Sequence, residues 1–118
     1  MIIEGEEITK GLIVSEPWIG KILSGVKTWE MRSTKTKTRG RIALIKKGTK
    51  TIVGTVELYD CLPCDPEKLP MAISHCIPTA MSDLFYKWNV AWKLREVRVL
   101  QEPIPYDHKR GSVVWVNL

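Results

Sequence analysis

The sequence lacks the features that mark secreted, membrane-spanning or disulfide-linked proteins. It contains three cysteines, an odd number that argues against a framework of paired disulfides. No apolar stretch approaches the roughly 20 residues that a membrane span needs. The first seven residues, MIIEGEE, are acidic and lack the basic start and long apolar run of a secretory signal. We therefore expect a cytoplasmic protein with reduced thiols and no membrane partner.

Phenylalanine is scarce as well, with one residue against five tryptophans. Indole offers a flat stacking face and one N–H donor, so a tryptophan suits either a core or a platform for a nucleic-acid base. We expect Trp29 and Trp115 to lie in the core, which leaves the other tryptophans for other roles.

Length and composition predict one globular domain over residues 1–118. A chain of 118 residues can bury its own core without disulfide or metal support, and 44% hydrophobic with 26% charged residues is ordinary for such domains. The net charge is +5, and the basic excess is concentrated between Lys27 and Lys50. A concentrated basic segment favours a polyanionic partner. A monomer is the default expectation.

Hydrophobic periodicity predicts a mostly β fold of about six strands with two short helices (α+β). The predicted strands cover 11–15, 27–33, 40–48, 51–61, 90–100 and 113–118, and the predicted helices cover 15–25 and 79–89. Ser15 is the expected cap of the first helix, Gly25 its end, and Gly54 the site of a bulge or sharp bend. Because strands follow one another directly from 28 to 58, we expect a curved, mostly antiparallel sheet or small barrel.

The segment SGVKTWEMRSTKTKTRGR, residues 24–41, holds six cations and a single carboxylate, Glu30. In a strand, Glu30 and Arg32 project from the same face, roughly 7 Å apart. Lys27 lies three residues before Glu30, within reach of a long side chain. One interpretation is a charge-compensated surface pair of little energetic value. The other is a site that holds a ligand.

The segment EPWIGKILSGVKTWEMRS, residues 16–33, resembles the ASCH domain, a family of small PUA-like β-barrels. The family motif G-x-K-x-x-E-x-R follows a helix and is matched by Gly25, Lys27, Glu30 and Arg32. The similarity covers about 10–58 and 91–118 and leaves out 61–89. It implies an antiparallel β-barrel with a cleft near the first helix, and RNA or a modified nucleoside as the ligand.

In such a cleft the motif residues would have separate roles. Lys27 and Arg32 can meet a phosphate or carbonyl oxygen, and Glu30 can accept hydrogen bonds from an exocyclic amino group. Trp18 or Trp92 can stack on a base.

Two further segments have an ordinary and a functional interpretation. Lys35, Lys37 and Arg39 form either a solvated loop or a set of phosphate contacts that add affinity without sequence choice. His108 is either a loop residue that caps backbone groups or a wall of the cleft.

Some relatives are enzymes, so the resemblance also implies an alternative function. In the bacterial N4-acetylcytidine amidohydrolases the motif lysine works with a threonine and a later glutamate. Here Glu30 stands at the threonine position, and Glu96 and Asp83 are candidates for the later acid. Lys27 and Glu30 would then be catalytic residues of a hydrolase acting on a modified nucleoside or on RNA. A carboxylate beside a lysine favours its charged form, which opposes nucleophilic use. Other ASCH modules accompany transcription coactivators, which leaves a protein-interaction role as a third option.

Four residues of metal-ligand type, Cys61, Cys64, His75 and Cys76, lie in one part of the chain. Two of them are adjacent in sequence, which suits tetrahedral chelation poorly. We expect ordinary buried or loop cysteines, with no metal and no cofactor.

Overall fold

A computed structural model describes residues 1–63, 74–76 and 89–118. Its elements in chain order are β1 (Ile2–Ile3), β2 (Glu6–Glu7), β3 (Lys10–Val14), α1 (Trp18–Leu23), β4 (Trp29–Arg32), β5 (Gly40–Lys46), β6 (Thr51–Pro63), β7 (Val90–Pro105) and β8 (Trp115–Asn117). The described part contains no helix long and apolar enough to cross a membrane.

Six strands form one curled sheet in the order β4-β7-β6-β5-β3-β8. All neighbouring pairs run antiparallel except β3 and β5, which are parallel because α1 lies in the connection between them. The mostly β class and the six predicted strands are confirmed. Strands β4 and β8 form the two edges, so the described strands make a half-barrel rather than a barrel closed by hydrogen bonds. The second predicted helix lies outside the described residues apart from Asn89.

The curl of the sheet comes from bulges on its long strands. The register between β5 and β6 shifts once, and the register between β6 and β7 shifts three times. An extra residue on one strand bends it and increases the local twist. Gly54 lies beside one shift, as predicted, and a Cβ there would stand 2.7 Å from the Leu23 side chain and 2.8 Å from the Arg98 carbonyl oxygen. The missing side chain therefore lets α1 pack directly on the bulged strand.

Strand alternation buries both faces of the sheet. Ile42 and Leu44 of β5 belong to a core that packs against α1, while Ala43 and Ile45 belong to a second core on the other face. A sheet covered on both faces needs apolar residues at successive positions. This explains why the segment 42–45 is continuously apolar.

The N-terminal hairpin was not predicted. Glu4 and Gly5 have φ values of 50° and 80° and form the turn between β1 and β2, and the hairpin buries Ile3 and Ile8 against the second core. The strand predicted over 90–100 is longer in the structure, because β7 continues to Pro105. Register shifts opposite this end of β7 let a proline-containing segment remain paired.

Two of the tryptophans can be compared with expectation. Trp115 is partly buried and packs against the first core. Trp29 is half-buried, with the Lys93 ammonium 5.0 Å from its ring centroid. It is therefore a partly exposed aromatic covered by a cation and not a core residue.

Candidate ligand-binding site

Helix α1 and the turn after it position the motif residues at the start of β4. The start of α1 differs from expectation, because Pro17 and not Ser15 occupies the N-cap position. The Gly20 N–H donates to Glu16 Oε1 at 3.1 Å, whereas Ser15 contributes only its carbonyl. Gly25 has φ of 86°, which a residue with a side chain rarely adopts, and it ends the helical path. The Lys27 N–H then donates to the Lys21 carbonyl at 3.0 Å, which turns the chain into β4.

Glu30 lies between the two cations of the motif. Its Oε1 is 3.7 Å from Lys27 Nζ, and its Oε2 is 3.0 Å from Arg32 Nη2. The side chains of Lys27, Glu30 and Arg32 are 1%, 7% and 22% exposed. This ionic triad, as we call these three residues, is therefore largely buried, unlike the weak surface pair that its sequence also allowed.

Lys27 has further partners inside the protein. Its ammonium donates a hydrogen bond to the carbonyl of His75 and lies 5.3 Å from the ring centroid of Trp18. Burial lowers the pKa of Lys27 below that of an exposed lysine, while the charge of Glu30 opposes this shift. The neighbouring backbone is held as well, because the Thr28 N–H donates to the Ser74 carbonyl at 2.9 Å.

Arg32 connects β4 to a strand near the opposite edge of the sheet. Its Nη2 donates to the Ile13 carbonyl at 3.0 Å, and its guanidinium carbon lies 5.5 Å from the Trp92 ring centroid. Strand β4 is one edge of the sheet, and β3, which carries Ile13, is next to the other edge. The side chain of Arg32 thus bridges the open side of the half-barrel.

A hollow of about 200 Å³ opens above the triad, and we call it the motif hollow. Its walls include four residues predicted from the sequence, namely Trp18, Lys27, Glu30 and Arg32, together with Ile13, Ser15, Met31, Lys47 and Val113. Trp18 is half-buried and forms part of the wall, with the ammonium groups of Lys21 and Lys27 at 5.7 and 5.3 Å from its ring centroid. The arrangement combines an aromatic wall, a carboxylate and three cations around one small cavity.

Lys47 and Val113 line the motif hollow but were not predicted from the sequence as site residues. Lys47 reaches the hollow because its N–H continues the parallel pairing of β3 and β5 by donating to the Val14 carbonyl at 2.9 Å. The lysine pair at the end of the predicted strand 40–48 could have indicated that a cation lines the site. That inference requires the knowledge that this strand pairs with β3. Val113 lies in the closing loop and gave no signal of its own.

Trp92 does not belong to the candidate site, which corrects its proposed role as a stacking platform. It is 2% exposed and stacks on Trp115, with ring centroids 5.6 Å apart and planes 13° from parallel. Its Nε1 donates to the Thr34 carbonyl at 2.8 Å. A ring enclosed in this way has no face free for a base, so Trp18 is the remaining candidate.

Neither the basic loop nor His108 lines the motif hollow. Lys35, Lys37 and Arg39 are exposed and none lines the hollow, and Arg39 donates to two carbonyls of its own loop at 2.8 and 2.9 Å. His108 lies in an adjacent cavity, where its Nδ1 is 2.7 Å from the Tyr106 hydroxyl.

Glu96, one of the two candidates for a second catalytic acid, does not line the motif hollow. Glu96 is exposed and its carboxylate lies 3.5 Å from Arg41. It borders a separate cavity of about 100 Å³, and Lys27 also lines that cavity. Asp83 lies outside the described residues.

Cys61 and Cys76 lie in different surroundings. Cys61 is buried and its sulfur is 3.5 Å from the Thr36 N–H, whereas Cys76 donates to the Val26 carbonyl at 3.4 Å. Cys64 lies outside the described residues. Within 1–63, 74–76 and 89–118, no group of three or more His, Cys, Asp or Glu side chains is arranged to hold a metal ion.

The protein is therefore a small, mostly β domain: a curled half-barrel in which one short helix leads into a buried Lys-Glu-Arg triad. The ASCH domain model matches residues 12–104, so the chain belongs to the ASCH domain family, as the motif predicted. The fold is shared with solved structures of ASCH from Zymomonas mobilis. One of these structures, described as ASCH from Zymomonas mobilis, superimposes with a TM-score of 0.73 at 17% identity, and the match covers 92% of this chain and 86% of that one.

Two mutants of the same Zymomonas mobilis protein are similar to this chain to the same degree. A serine-to-alanine mutant gives a TM-score of 0.72 and a tyrosine-to-phenylalanine mutant gives 0.73, both at 17% identity. Each match covers 92% of this chain, together with 87% of the first mutant chain and 88% of the second. At this level of identity the likeness concerns the fold alone. No curated protein matches the chain in sequence.

Proposed function

We propose that this ASCH-domain protein binds RNA or a modified nucleoside, with one base seated in the motif hollow. The observation that carries the proposal is the position of Glu30, held between two cations at the base of a cavity with an indole wall. A carboxylate that is fixed and charge-balanced in this way can accept hydrogen bonds from a base edge without repelling the phosphates of the same ligand.

The residues of the motif hollow have different roles in the proposed binding. Trp18 offers a partly exposed ring on which a splayed base can stack. Lys27 is enclosed, so it acts through its field on Glu30, whereas Lys47 is exposed and able to meet a phosphate directly. Lys35, Lys37 and Arg39 lie outside the hollow and would add contacts to the backbone of a longer RNA, independent of its sequence.

The size of the hollow favours a single base over a larger ligand. Drug-sized ligands occupy cavities of roughly 300 to 1,000 Å³, and the motif hollow measures about 200 Å³. An RNA helix would therefore remain outside, and a base has to be unstacked to enter. This favours single-stranded RNA or a free nucleoside.

The proposal is tested by titrating the protein at low salt with the four ribonucleosides, N4-acetylcytidine and a single-stranded RNA, followed by calorimetry. Trp18→Leu should weaken binding about tenfold, since stacking of one base contributes about 1–3 kcal/mol. Trp29→Leu is the matched control, because Trp29 lies outside the hollow and contacts Lys93 instead. Absence of binding to every one of these probes would contradict the proposed function.

A hydrolase is the second candidate, favoured by one observation. Burial lowers the pKa of Lys27, and Glu30 lies 3.7 Å away as a proton acceptor, so the pair has the composition of an activated amine and a base. Incubation with N4-acetylcytidine and with single-stranded RNA, followed by chromatography, tests this activity. Turnover that is abolished by Lys27→Met would support the hydrolase, and unchanged substrate at high protein concentration would remove it.

Location in the cytoplasm and a monomeric state stay predictions.

A further inference from the structure

A second cavity, of about 280 Å³, lies directly beside the motif hollow. The two cavities share three wall residues, Ile13, Lys47 and Val113, so they adjoin one another. We call the second cavity the lysine-rimmed hollow.

The walls of the lysine-rimmed hollow combine apolar and aromatic surface. Ile13, Ile45 and Val113 supply aliphatic contacts, and Tyr106 and His108 supply two flat rings. The Tyr106 hydroxyl lies 2.7 Å from His108 Nδ1, and the two rings meet edge to face with centroids 5.6 Å apart. This hydrogen bond holds the two rings in place, which lowers the entropic cost of stacking a planar group against them.

The rim of this hollow is positively charged. Lys46, Lys47 and Lys50 are exposed and border the cavity, and within the described residues none of the three forms an ion pair. No carboxylate is among the described residues that line it. The loop that carries these lysines is held by Thr49, whose hydroxyl and N–H both donate to the Lys46 carbonyl, at 2.8 and 3.1 Å.

These features select the chemistry of the occupant. An apolar cavity with aromatic walls accepts a planar group, and a rim of unpaired cations attracts a negative charge attached to it. A cation or a neutral peptide would leave the lysines without partners. A nucleotide satisfies both conditions, because its base is planar and its phosphate is anionic.

We propose that the lysine-rimmed hollow binds the nucleotide adjacent to the one in the motif hollow, so that the ligand is a single strand of at least two nucleotides. The second base stacks against Tyr106 and His108, and Lys47, which borders both hollows, contacts the phosphate that links the two nucleosides. This inference rests on the proposed function of the motif hollow. It specifies the ligand class, since it selects an oligonucleotide over a free nucleoside.

The test compares ligands that differ by one nucleotide. The four ribonucleosides and the four homodinucleoside monophosphates are titrated by calorimetry at low salt, and each dinucleotide should bind about tenfold or more tightly than its nucleoside. His108→Ala should remove a large part of this gain without changing nucleoside affinity, and Lys50→Ala should reduce the gain by less, because Lys50 acts on the single phosphate only through the positive field of the rim. Lys50→Ala alters only the exposed rim, so it remains informative if the loss of the His108 contact disturbs the fold.

The charge contribution is tested separately with Lys47→Ala. This variant should weaken dinucleotide binding and reduce its dependence on salt by about one counterion, because it removes one phosphate contact. Lys93→Ala removes the same charge from a position that lines neither hollow, so it is the matched control and should leave binding unchanged.

The outcomes separate this inference from the proposed function. If nucleosides bind and dinucleotides bind no more tightly, the lysine-rimmed hollow is not a nucleotide site and the motif hollow retains its proposed role. If dinucleotides bind more tightly but neither His108→Ala nor Lys50→Ala reduces the gain, the second nucleotide lies elsewhere and the inference is wrong. If no nucleoside, dinucleotide or RNA binds, both proposals fail.

Discussion

The motif and the basic loop that follows it both carry positive charge, but their surroundings differ. Lys27 and Arg32 are enclosed and contact Glu30, whereas Lys35, Lys37 and Arg39 project from an exposed loop. The enclosed cations have lost most of their water and depend on fixed partners. The exposed ones stay hydrated and are screened by salt.

This difference shows why charge count alone does not locate a site. The loop holds more cations than the motif, yet it lines no part of the motif hollow. The motif contributes the geometry because its cations are balanced by a carboxylate and fixed by backbone carbonyls, those of His75 and Ile13. We therefore expect mutations in the motif to change stability and ligand recognition, and mutations in the loop to change only salt-dependent affinity.

The largest expected effect is that of Glu30→Gln. This substitution removes the only carboxylate of the ionic triad and leaves two cations side by side in a largely buried site. Breaking a buried ion pair in this way destabilises proteins by about 3–5 kcal/mol, and we expect about 3 kcal/mol because the amide oxygen still accepts one hydrogen bond. Urea unfolding measures the change in the free energy of unfolding.

The control for Glu30→Gln is Glu57→Gln, the same substitution in an exposed pair. Glu57 Oε2 lies 2.5 Å from Arg95 Nε, a shorter contact than any in the triad that involves Glu30. Since that pair is in contact with water, its loss should leave stability nearly unchanged. Equal effects of the two substitutions would show that burial of the triad has no energetic role.

The next effect in size is expected from Arg32→Lys, which retains the charge and removes the planar donor. Arg32 Nη2 donates to both Glu30 and the Ile13 carbonyl, and an ammonium at the end of a shorter side chain cannot keep both bonds and the contact with Trp92. We expect a loss of about 1–2 kcal/mol in the free energy of unfolding. Arg39→Lys in the exposed loop is the matched control, and a loss there as large as at Arg32 would contradict the bridging role.

A smaller effect is expected in the pH dependence of stability. Burial holds the pKa of Lys27 in the folded protein below 10.5, so the unfolded chain binds more protons between the two pKa values. The contribution of Lys27 to stability should therefore rise as the pH rises toward 10.5. The measurement compares urea unfolding of the wild type with that of Lys27→Met at about pH 8 and about pH 10, since the linkage acts only where folded and unfolded pKa values differ. A difference between the two proteins that does not change with pH would contradict the shift.

Sequence patterns predicted the parts of the molecule that local physics determines. Period-two alternation gave β5 and its two faces, and the order of helix, glycine and charged strand placed Glu30 and Arg32 on one strand with Lys27 just before it. The triad was predictable because its members are at most five residues apart: strand geometry puts Glu30 and Arg32 on the same face, and the long side chain of Lys27 reaches Glu30 from the turn before β4.

The parts that could not be predicted depend on pairings distant in sequence. Nothing local indicates that β3 and β5 run parallel, and that pairing is what carries Lys47 into the motif hollow. Likewise, an alternating strand contains Trp92 on one face, but only its contact with Trp115 makes that face the inside. Periodicity separates two faces, and it does not say which one is buried when both carry large apolar residues.

The smallest effect on the folded protein is expected from the triple variant Lys35→Ala, Lys37→Ala, Arg39→Ala. Because these side chains are exposed, the free energy of unfolding should stay nearly unchanged. Nucleoside affinity should also stay unchanged, while the affinity for single-stranded RNA falls and the slope of its logarithm against the logarithm of the salt concentration decreases by about 2, the value for three phosphate contacts on a single strand. The triple variant Lys10→Ala, Lys93→Ala, Arg98→Ala removes the same charge elsewhere on the surface and serves as the control. If both triple variants lower RNA affinity equally, the loop acts only through its contribution to net charge. The motif and the loop would then differ only in whether their cations are buried or exposed.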